Sequence, residues 1–271
     1  MKLTSAGKIS LTSSLGNQEK WRTDDGYWIK IDQFGYESLA EYIASRIIKK
    51  IVPNDIKGLT VVSYDLSTCE YHGNNVTCSV SRDFKKDGES IVTISKLLRK
   101  TAGDDLGRIF AGMKNDRERI SFIVENISSV AGLKDFPRYL ALLFEIDGLI
   151  LNDDRHLNNI AVIEKGGRFK LCPIFDNGAA FLSNQMYKRM DIDPKYLAGK
   201  CSARPLNTSF KRQVKIVREL YGSQIGDVSV DEEYVRSIVL PTLEYYPQRD
   251  RDIILSRVLA SLRQGKKNLV V

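Results

Sequence analysis

The sequence predicts an α+β protein with two lobes, a small strand-rich lobe followed by a larger helical one. Three patterns support this fold class: roughly the first eighty positions are rich in strand-like runs, helical spacing dominates the remainder, and a short hairpin pattern interrupts the helical part. The chain has 271 residues, of which 42% are hydrophobic and 28% charged, a globular balance that excludes wholesale disorder. We place the lobes at 1–82 and 83–271, together forming one domain.

The first lobe is expected to contain strands around one helix. The turn residues Asp24-Asp25-Gly26 introduce a β-rich run, as in a hairpin. Apolar residues between 36 and 50 fall on one face of a helix. Strands are predicted, in chain order, at 8–13, 27–31, 61–64 and 76–80.

The second lobe is expected to be helical, with one β-hairpin embedded in it. Two apolar runs, 160–163 and 169–172, flank a turn that contains Gly166-Gly167. Helical spacing of apolar residues predicts helices, in chain order, at 91–100, 117–130, 136–151, 210–221, 231–240 and 248–263.

Charge and composition narrow the classes of function. Lysine and arginine number 41 against 34 acidic residues, a net charge of +7, but no basic run exceeds two residues, which argues against direct nucleic-acid binding. The spacing of the four cysteines and two histidines does not fit a structural zinc site, and reduced thiols are expected. No apolar run of roughly 18 residues and no signal-like leader is present. We expect a soluble, cytoplasmic protein without a membrane partner.

The densest polar cluster is the run 152–159, Asn-Asp-Asp-Arg-His-Leu-Asn-Asn, which lies between an apolar helix and an apolar strand. Asp176 follows the hairpin, and a hairpin returns the chain to its start, so Asp176 should lie close to Asn159. Oxygen ligands of this kind suit Mg²⁺. This is the arrangement that phosphoryl transfer uses, in which Asp154 orients the attacking hydroxyl while Asn159 and Asp176 bind the metal. The alternative is an Asp/Asn-rich turn followed by a solvated hairpin.

Two motifs resemble those of a known family. The run Asp154-Arg155-His156-Leu157-Asn158-Asn159 with Phe175-Asp176 resembles the catalytic core of HipA-like serine/threonine kinases. The run Ser13-Ser14-Leu15-Gly16-Asn17-Gln18-Glu19-Lys20 resembles that family's phosphate loop, S-x-x-G-x-Q-x-K. The resemblance spans about residues 10 to 180. We expect a short member of the family, without the extra N-terminal subdomain that precedes the phosphate loop in the full-length toxin kinases.

The resemblance implies a protein-kinase-like fold that uses ATP and Mg²⁺. Lys30, in the middle of a predicted strand, would bind the α- and β-phosphates and pair with a helix glutamate; Glu41 and Glu37 compete for this role, and we favour Glu41. His156 is expected to organise the catalytic loop. The residues implied in nucleotide binding are Leu15, Gly16, Asn17, Gln18, Lys20, Lys30, Glu41, the hinge residues Ser81, Arg82 and Asp83, and His156 and Asn158.

The resemblance also implies regulation and partners. Ser13, three residues before Gly16, occupies the position at which the toxin kinases autophosphorylate, and a phosphate there would repel those of ATP. A protein substrate is expected, an antitoxin or regulator is a candidate partner, and the kinase could be a toxin or an effector delivered into another cell. Three alternatives stay open: a phosphoinositide-type lipid kinase, a catalytically silent nucleotide-binding regulator, and a small-molecule phosphotransferase, although the last class typically carries an H-x-D loop.

Overall fold

The computed structural model describes residues 18–226 and 229–270. The predicted strand at 8–13 and the proposed phosphate-loop residues Ser13, Leu15, Gly16 and Asn17 lie outside the described residues. Within the described ranges, no helix combines the length and the apolar character that crossing a membrane requires.

A four-stranded antiparallel sheet forms the first lobe in the described residues, with the strand order β1-β2-β4-β3. Gly26 closes the β1–β2 hairpin with φ +84°, a conformation that glycine adopts without steric cost. The sheet carries Lys30 on its second strand, next to Ser79 of the neighbouring strand. The strands are β1 Lys20–Arg22, β2 Tyr27–Ile31, β3 Asp65–Tyr71 and β4 Asn74–Arg82.

Helix α1, Glu37–Ile51, crosses the first lobe where the apolar periodicity predicts a helix. Leu39, Ile43 and Ile47 are fully buried on its inner face. Glu41 lies on that same face and is also fully buried, so its carboxylate requires a partner inside the protein. The fold therefore places one acidic group of α1 against the lobe boundary.

The strand predicted at 61–64 is wrong. Val61 forms only an isolated parallel bridge to Ile174, and the regular strand begins four residues later, at Asp65. Residues 60–62 instead exchange backbone hydrogen bonds with Ile174 at 2.8 and 3.0 Å, so their apolar side chains signal contact with the second lobe. β3 itself has the mixed composition of a half-exposed strand and gives a weak apolar signal.

The helix predicted from Ile91 is wrong at its start. Residues Ser90–Thr93 form β5, which pairs with the hairpin strand β6, Ala161–Lys165, and β6 pairs in turn with β7, Arg168–Leu171. Helix α2, Ile94–Ala102, begins only after Thr93, whose side chain accepts a hydrogen bond from the Lys96 backbone N–H as an N-cap. The β-branched residues at 91 and 92 find a strand partner distant in sequence.

The helical lobe packs around α5, Phe136–Ile150, in which every residue from Tyr139 to Ile150 is buried. A Cβ atom at Gly265 would lie 1.8 Å from the Leu149 carbonyl oxygen, so this glycine is required where α9 crosses α5. The short helices α3 and α6 lacked a sequence signal. The helices besides α2 and α5 are α3 Leu106–Ala111, α4 Asp116–Ala131, α6 Pro194–Lys200, α7 Phe210–Tyr221, α8 Glu232–Val239 and α9 Gln248–Leu269, with a 3-10 helix at Leu240–Tyr245.

Candidate active site

The polar run 152–159 is the loop that joins α5 to β6, and we refer to it as the catalytic loop because it carries the expected base, Asp154. α5 ends at Leu151 in the left-handed conformation, φ +54°, which turns the chain sharply out of the helix. The Asn159 side-chain amide donates a hydrogen bond to the Asp154 carbonyl oxygen at 2.9 Å, closing the loop across its base. The Asp154 side chain is 49% exposed. The loop thus presents one carboxylate from a closed backbone turn.

Arg155 anchors this loop, although no role for it was predicted from the sequence. Its guanidinium is fully buried and donates to Asp147 Oδ2 at 3.0 Å, the Phe175 carbonyl at 2.9 Å, Asn177 Oδ1 at 2.6 Å and the Asn159 carbonyl at 3.1 Å. Burial disfavours the charge of Arg155, but the Asp147 carboxylate outweighs burial and raises the pKa of the guanidinium. The sequence feature that could have indicated a buried cation is Asp147, a carboxylate inside the apolar helix α5.

Lys30 bridges the two lobes. Its ammonium group lies 2.8 Å from Glu41 Oε1 and 2.7 Å from Asp176 Oδ1. Glu37 makes no such contact and accepts the Phe34 backbone N–H instead, at 2.8 Å. Of the two glutamates that the sequence left in competition, Glu41 is therefore the partner of Lys30.

Lys30 and Asp176 stabilise each other in the ionised form. Burial opposes the charge on Lys30, but the carboxylates of Asp176 and Glu41 outweigh it and raise the pKa of the ammonium well above its usual value. Burial likewise opposes the Asp176 carboxylate, yet the neighbouring Lys30 lowers its pKa to about 2. The pKa of Glu41 is raised because that carboxyl is buried.

Asp176 has an unusual backbone. Its φ of +61° lies in the left-handed region, which costs a non-glycine residue on the order of 1–3 kcal/mol, and such residues cluster at functional sites. The next residue, Asn177, donates its backbone N–H to Glu41 Oε2 at 2.8 Å. Glu41 thus binds Lys30 with one oxygen and, with the other, the backbone of the loop after β7. We refer to residues 175–178 as the metal loop, because they include the expected metal ligand Asp176.

The side chains of Asn159 and Asp176 suit a hard cation such as Mg²⁺. The Asn159 Oδ1 atom is buried and has no hydrogen-bond partner among the described residues, while the amide nitrogen of the same side chain is already engaged. A buried amide oxygen left in this state is expected to have a ligand. The described ranges contain no cluster of three His, Cys, Asp or Glu side chains suited to a metal. A cation here would rely on these two residues and on a bound phosphate.

A cleft of about 560 Å³ lies between the sheet and the catalytic loop. Apolar side chains line one part of it, including Trp28, Ile91, Phe84 and Phe175, and the last two rings are 5.8 Å apart. These apolar residues were not predicted, because they come from separate elements whose meeting depends on the fold. Charged residues line the remainder, so the cleft has an apolar part and an ionic part.

Six of the predicted site residues line this cleft together: Lys20, Lys30, Ser81, Asp83, Asn158 and Asp176. The pKa of Lys20 falls to about 8, because the amine is buried and lies near the positive Lys30. In the hinge, Asp83 accepts a hydrogen bond from Arg22 Nε at 3.0 Å, whereas the exposed Arg82 does not line the cleft.

Other predicted residues lie outside the lining. Gln18 turns back to the sheet, where its amide nitrogen donates to the Ile31 carbonyl at 2.7 Å. His156 lies within the catalytic loop, where its Nε2 atom is 3.9 Å from Asp154 Oδ2. Glu41 is behind Lys30 and fully buried.

Comparison with solved structures identifies the fold of this chain. The chain is similar to the Helicobacter pylori proinflammatory kinase CtkA, with a TM-score of 0.59 and 15% identity over 94% of this chain and 90% of that one. The chain has a kinase-like fold. The predicted fold class, a small antiparallel lobe followed by a helical lobe, is confirmed.

A second solved structure aligns less closely with this kinase-like fold. It is HipA of the Shewanella oneidensis MR-1 toxin–antitoxin system, determined with HipB and operator DNA. The alignment covers 98% of this chain and 66% of that one, with a TM-score of 0.47 and 13% identity. No protein-family model matches the sequence, and no curated protein is similar to it in sequence. The similarity to CtkA confirms the predicted resemblance at the level of the fold.

Proposed function

We propose that this chain is an ATP- and Mg²⁺-dependent serine/threonine protein kinase. The observation that carries the proposal is the placement of Lys30 between Glu41 and Asp176, at the wall of the cleft. A strand lysine paired with a helix glutamate, next to a metal-loop aspartate, is the arrangement with which kinases bind the phosphates of ATP.

The nucleotide would bind with its base in the apolar part of the cleft and its phosphates toward Lys30. Phe84 and Phe175 offer ring faces to a purine, and the backbone near Ser81 and Asp83 offers hydrogen-bonding groups. Asn159 and Asp176 would hold Mg²⁺, which neutralises charge on the β- and γ-phosphates.

Asp154 would accept the proton of the attacking hydroxyl. As that O–H bond breaks, the substrate oxygen bonds to the γ-phosphorus and the bond to the ADP oxygen breaks. Burial raises the pKa of Asp154, which strengthens it as a base, while His156 and Arg204 act in the opposite direction and favour the ionised form. Such proton transfer contributes roughly 10²–10⁴ in rate.

The decisive experiment compares wild type with Asp154→Ala and with Asp252→Ala, which removes an exposed aspartate of α9. Each protein is incubated with labelled ATP, Mg²⁺ and a degenerate serine/threonine peptide library. We expect the transfer rate of Asp154→Ala to be about 10²–10⁴-fold lower than that of wild type, while its nucleotide affinity in calorimetry stays similar. Asp252→Ala should match wild type. Transfer by Asp154→Ala within about threefold of wild type would remove Asp154 from the mechanism.

Autophosphorylation at Ser13 is part of the proposal. A phosphoserine carries about −1.5 to −2 charges and would compete with the ATP phosphates for the same positive groups. Phosphosite mapping after incubation with ATP tests it: we expect phosphate on Ser13 in the wild type and none in Asp154→Ala. An active wild type without phosphate on residues 12–14 would exclude this regulation.

A further inference from the structure

Arg204 places an uncommitted guanidinium beside the proposed base. Its Nη1 atom lies 3.7 Å from Asp154 Oδ1, close enough for charge attraction but too long for a hydrogen bond. The side chain is 51% exposed, and its N–H groups donate no hydrogen bond to any described residue. Arginine has five such donors in a fixed fork. The guanidinium donors of Arg204 are therefore available to a ligand at the position where an acceptor hydroxyl must approach Asp154.

The loop that carries Arg204 is held by the core. Gln213, fully buried on α7, donates its side-chain amide to the Arg204 carbonyl at 3.1 Å. Ala203 and Thr208 pair through their backbones at 2.7 and 3.3 Å. Ala203 is buried in the same apolar cluster as Leu151, which precedes the catalytic loop. The scaffold that positions Asp154 thus also positions Arg204.

The surrounding surface is positive. Residues 186–212 contain seven lysines and arginines against two aspartates. Besides Arg204, which lies 3.7 Å from Asp154, three of these cations have a carboxylate partner within 3.0 Å: Lys188 with Asp153, Arg189 with Asp191, and Arg212 with Asp116. In the described part of the chain, Lys195, Lys200 and Lys211 have no carboxylate within 4.0 Å.

Aromatic side chains accompany this charge. Tyr187 and Tyr196 are strongly exposed, and the Lys200 ammonium lies 5.5 Å from the centre of the Tyr196 ring. The ion pair of Lys188 with Asp153 fixes the segment that carries Tyr187 against the catalytic loop. Exposed tyrosines are typical of protein-binding surfaces, where aromatic side chains contact a partner.

We propose that the phosphoacceptor is a serine or threonine in an acidic protein segment, and that Arg204 binds a carboxylate next to the acceptor hydroxyl. This inference rests on the proposed kinase function. Arg204 acts as a specificity residue, because a planar guanidinium matches a carboxylate with two parallel hydrogen bonds. Asp154 repels that carboxylate, so the acidic side chain must lie on the far side of Arg204 from the base.

The test uses three peptides that share one central serine and carry glutamate, glutamine or lysine on both sides of it. For the wild type we expect kcat/KM to fall in that order, with the glutamate peptide about tenfold or more ahead of the glutamine peptide. The ratio between peptides is the readout, because a change next to Asp154 can lower all rates together without altering the ratio.

Three variants of Arg204 and one control complete the design. Arg204→Gln should bring the glutamate-to-glutamine ratio near one, and Arg204→Glu should invert the preference toward the lysine peptide. Arg204→Lys keeps the charge without the fork and should give an intermediate ratio. Arg168→Glu reverses an exposed charge in the β-hairpin and should leave the wild-type ratio unchanged. Thermal unfolding and Mg²⁺-dependent ATP binding establish that each variant is folded.

The outcomes separate the two proposals. Equal transfer to all three peptides by the wild type, or an unchanged preference in Arg204→Glu, overturns the inference and leaves the kinase function standing. Transfer to vesicles of phosphatidylinositol and phosphatidylcholine at rates above those for every peptide overturns the protein acceptor in favour of a lipid one. Absence of both Mg²⁺-dependent ATP binding and transfer overturns the kinase function and the inference together.

Discussion

Lys30 and Arg155 are two cations, one partly and one fully buried, that bind the metal loop in different ways. Arg155 has a side chain only 1% exposed and distributes its donors over one carboxylate, one amide oxygen and two backbone carbonyls. Lys30 is 15% exposed, lines the cleft and binds two carboxylates. Arg155 therefore fixes the positions of two loops, whereas Lys30 holds charge at a surface that a ligand can reach.

The comparison predicts that loss of Arg155 mainly lowers stability. Arg155→Met should cost about 3–5 kcal/mol of unfolding free energy, because it leaves the Asp147 carboxylate buried without its cation. The double variant Arg155→Met with Asp147→Leu should be less destabilised than the single one, since it removes both charges. Chemical denaturation measures both. A single variant within about 1 kcal/mol of wild type would show that Arg155 is not the anchor of the loop.

The second prediction concerns pH and Asp176. The folded pKa of this carboxyl is about 2, against 3.8 for an ordinary aspartate, because the attraction of Lys30 outweighs burial. A lowered pKa stabilises the folded state above the unfolded value, and that stabilisation is lost as the pH falls through the folded value. The difference of about 2 units corresponds to about 2 kcal/mol.

Asp176→Asn provides the reference for that measurement. The difference in unfolding free energy between wild type and Asp176→Asn should be constant between pH 7 and about pH 5. It should then shrink as the pH falls from about 4 toward 2. A gap that stays constant across the acidic range would mean that Lys30 does not stabilise the ionised Asp176.

The third prediction compares the two glutamates of α1. Glu41→Gln removes one carboxylate from Lys30, and we expect kcat/KM for ATP to fall about tenfold. Glu37→Gln is the matched control on the same helix, because Glu37 is buried but bonds to the Phe34 backbone rather than to Lys30. It should change kcat/KM by less than about twofold. Similar losses in both variants would show that α1 packing, not the Lys30 pair, is responsible.

The same contrast explains what the sequence could predict. Helix α1 and the β6–β7 hairpin were predicted because their apolar periodicity is local and strong. Asp154, Asn159 and Asp176 could be named because they fall in two short runs joined by that hairpin. The role of Arg155 was not predicted, because its partners come from α5, the catalytic loop and the metal loop. Only the folded chain brings them to one guanidinium.

The errors at residues 61–64 and 91–93 have the same origin. Both segments carry apolar residues whose partners lie in the second lobe, Ile174 in one case and the hairpin strand β6 in the other. A local pattern of apolar residues indicates burial but does not name the partner, so the tertiary contact decided between strand, bridge and helix. The apolar lining of the cleft was missed for the same reason.

The smallest expected effect concerns Tyr64, which lies beneath the Lys30 cluster. Its hydroxyl accepts the Asp176 backbone N–H at 3.4 Å, and its ring centre lies 5.7 Å from the Lys30 ammonium. Tyr64→Phe keeps the ring and loses this long hydrogen bond, so it should cost about 1 kcal/mol or less. ATP affinity in calorimetry should stay within about twofold of wild type, because Lys30 and Glu41 still hold the metal loop. A loss of ATP affinity as large as the loss of kcat/KM expected for Glu41→Gln would instead show that the tyrosine hydroxyl maintains the left-handed conformation of Asp176.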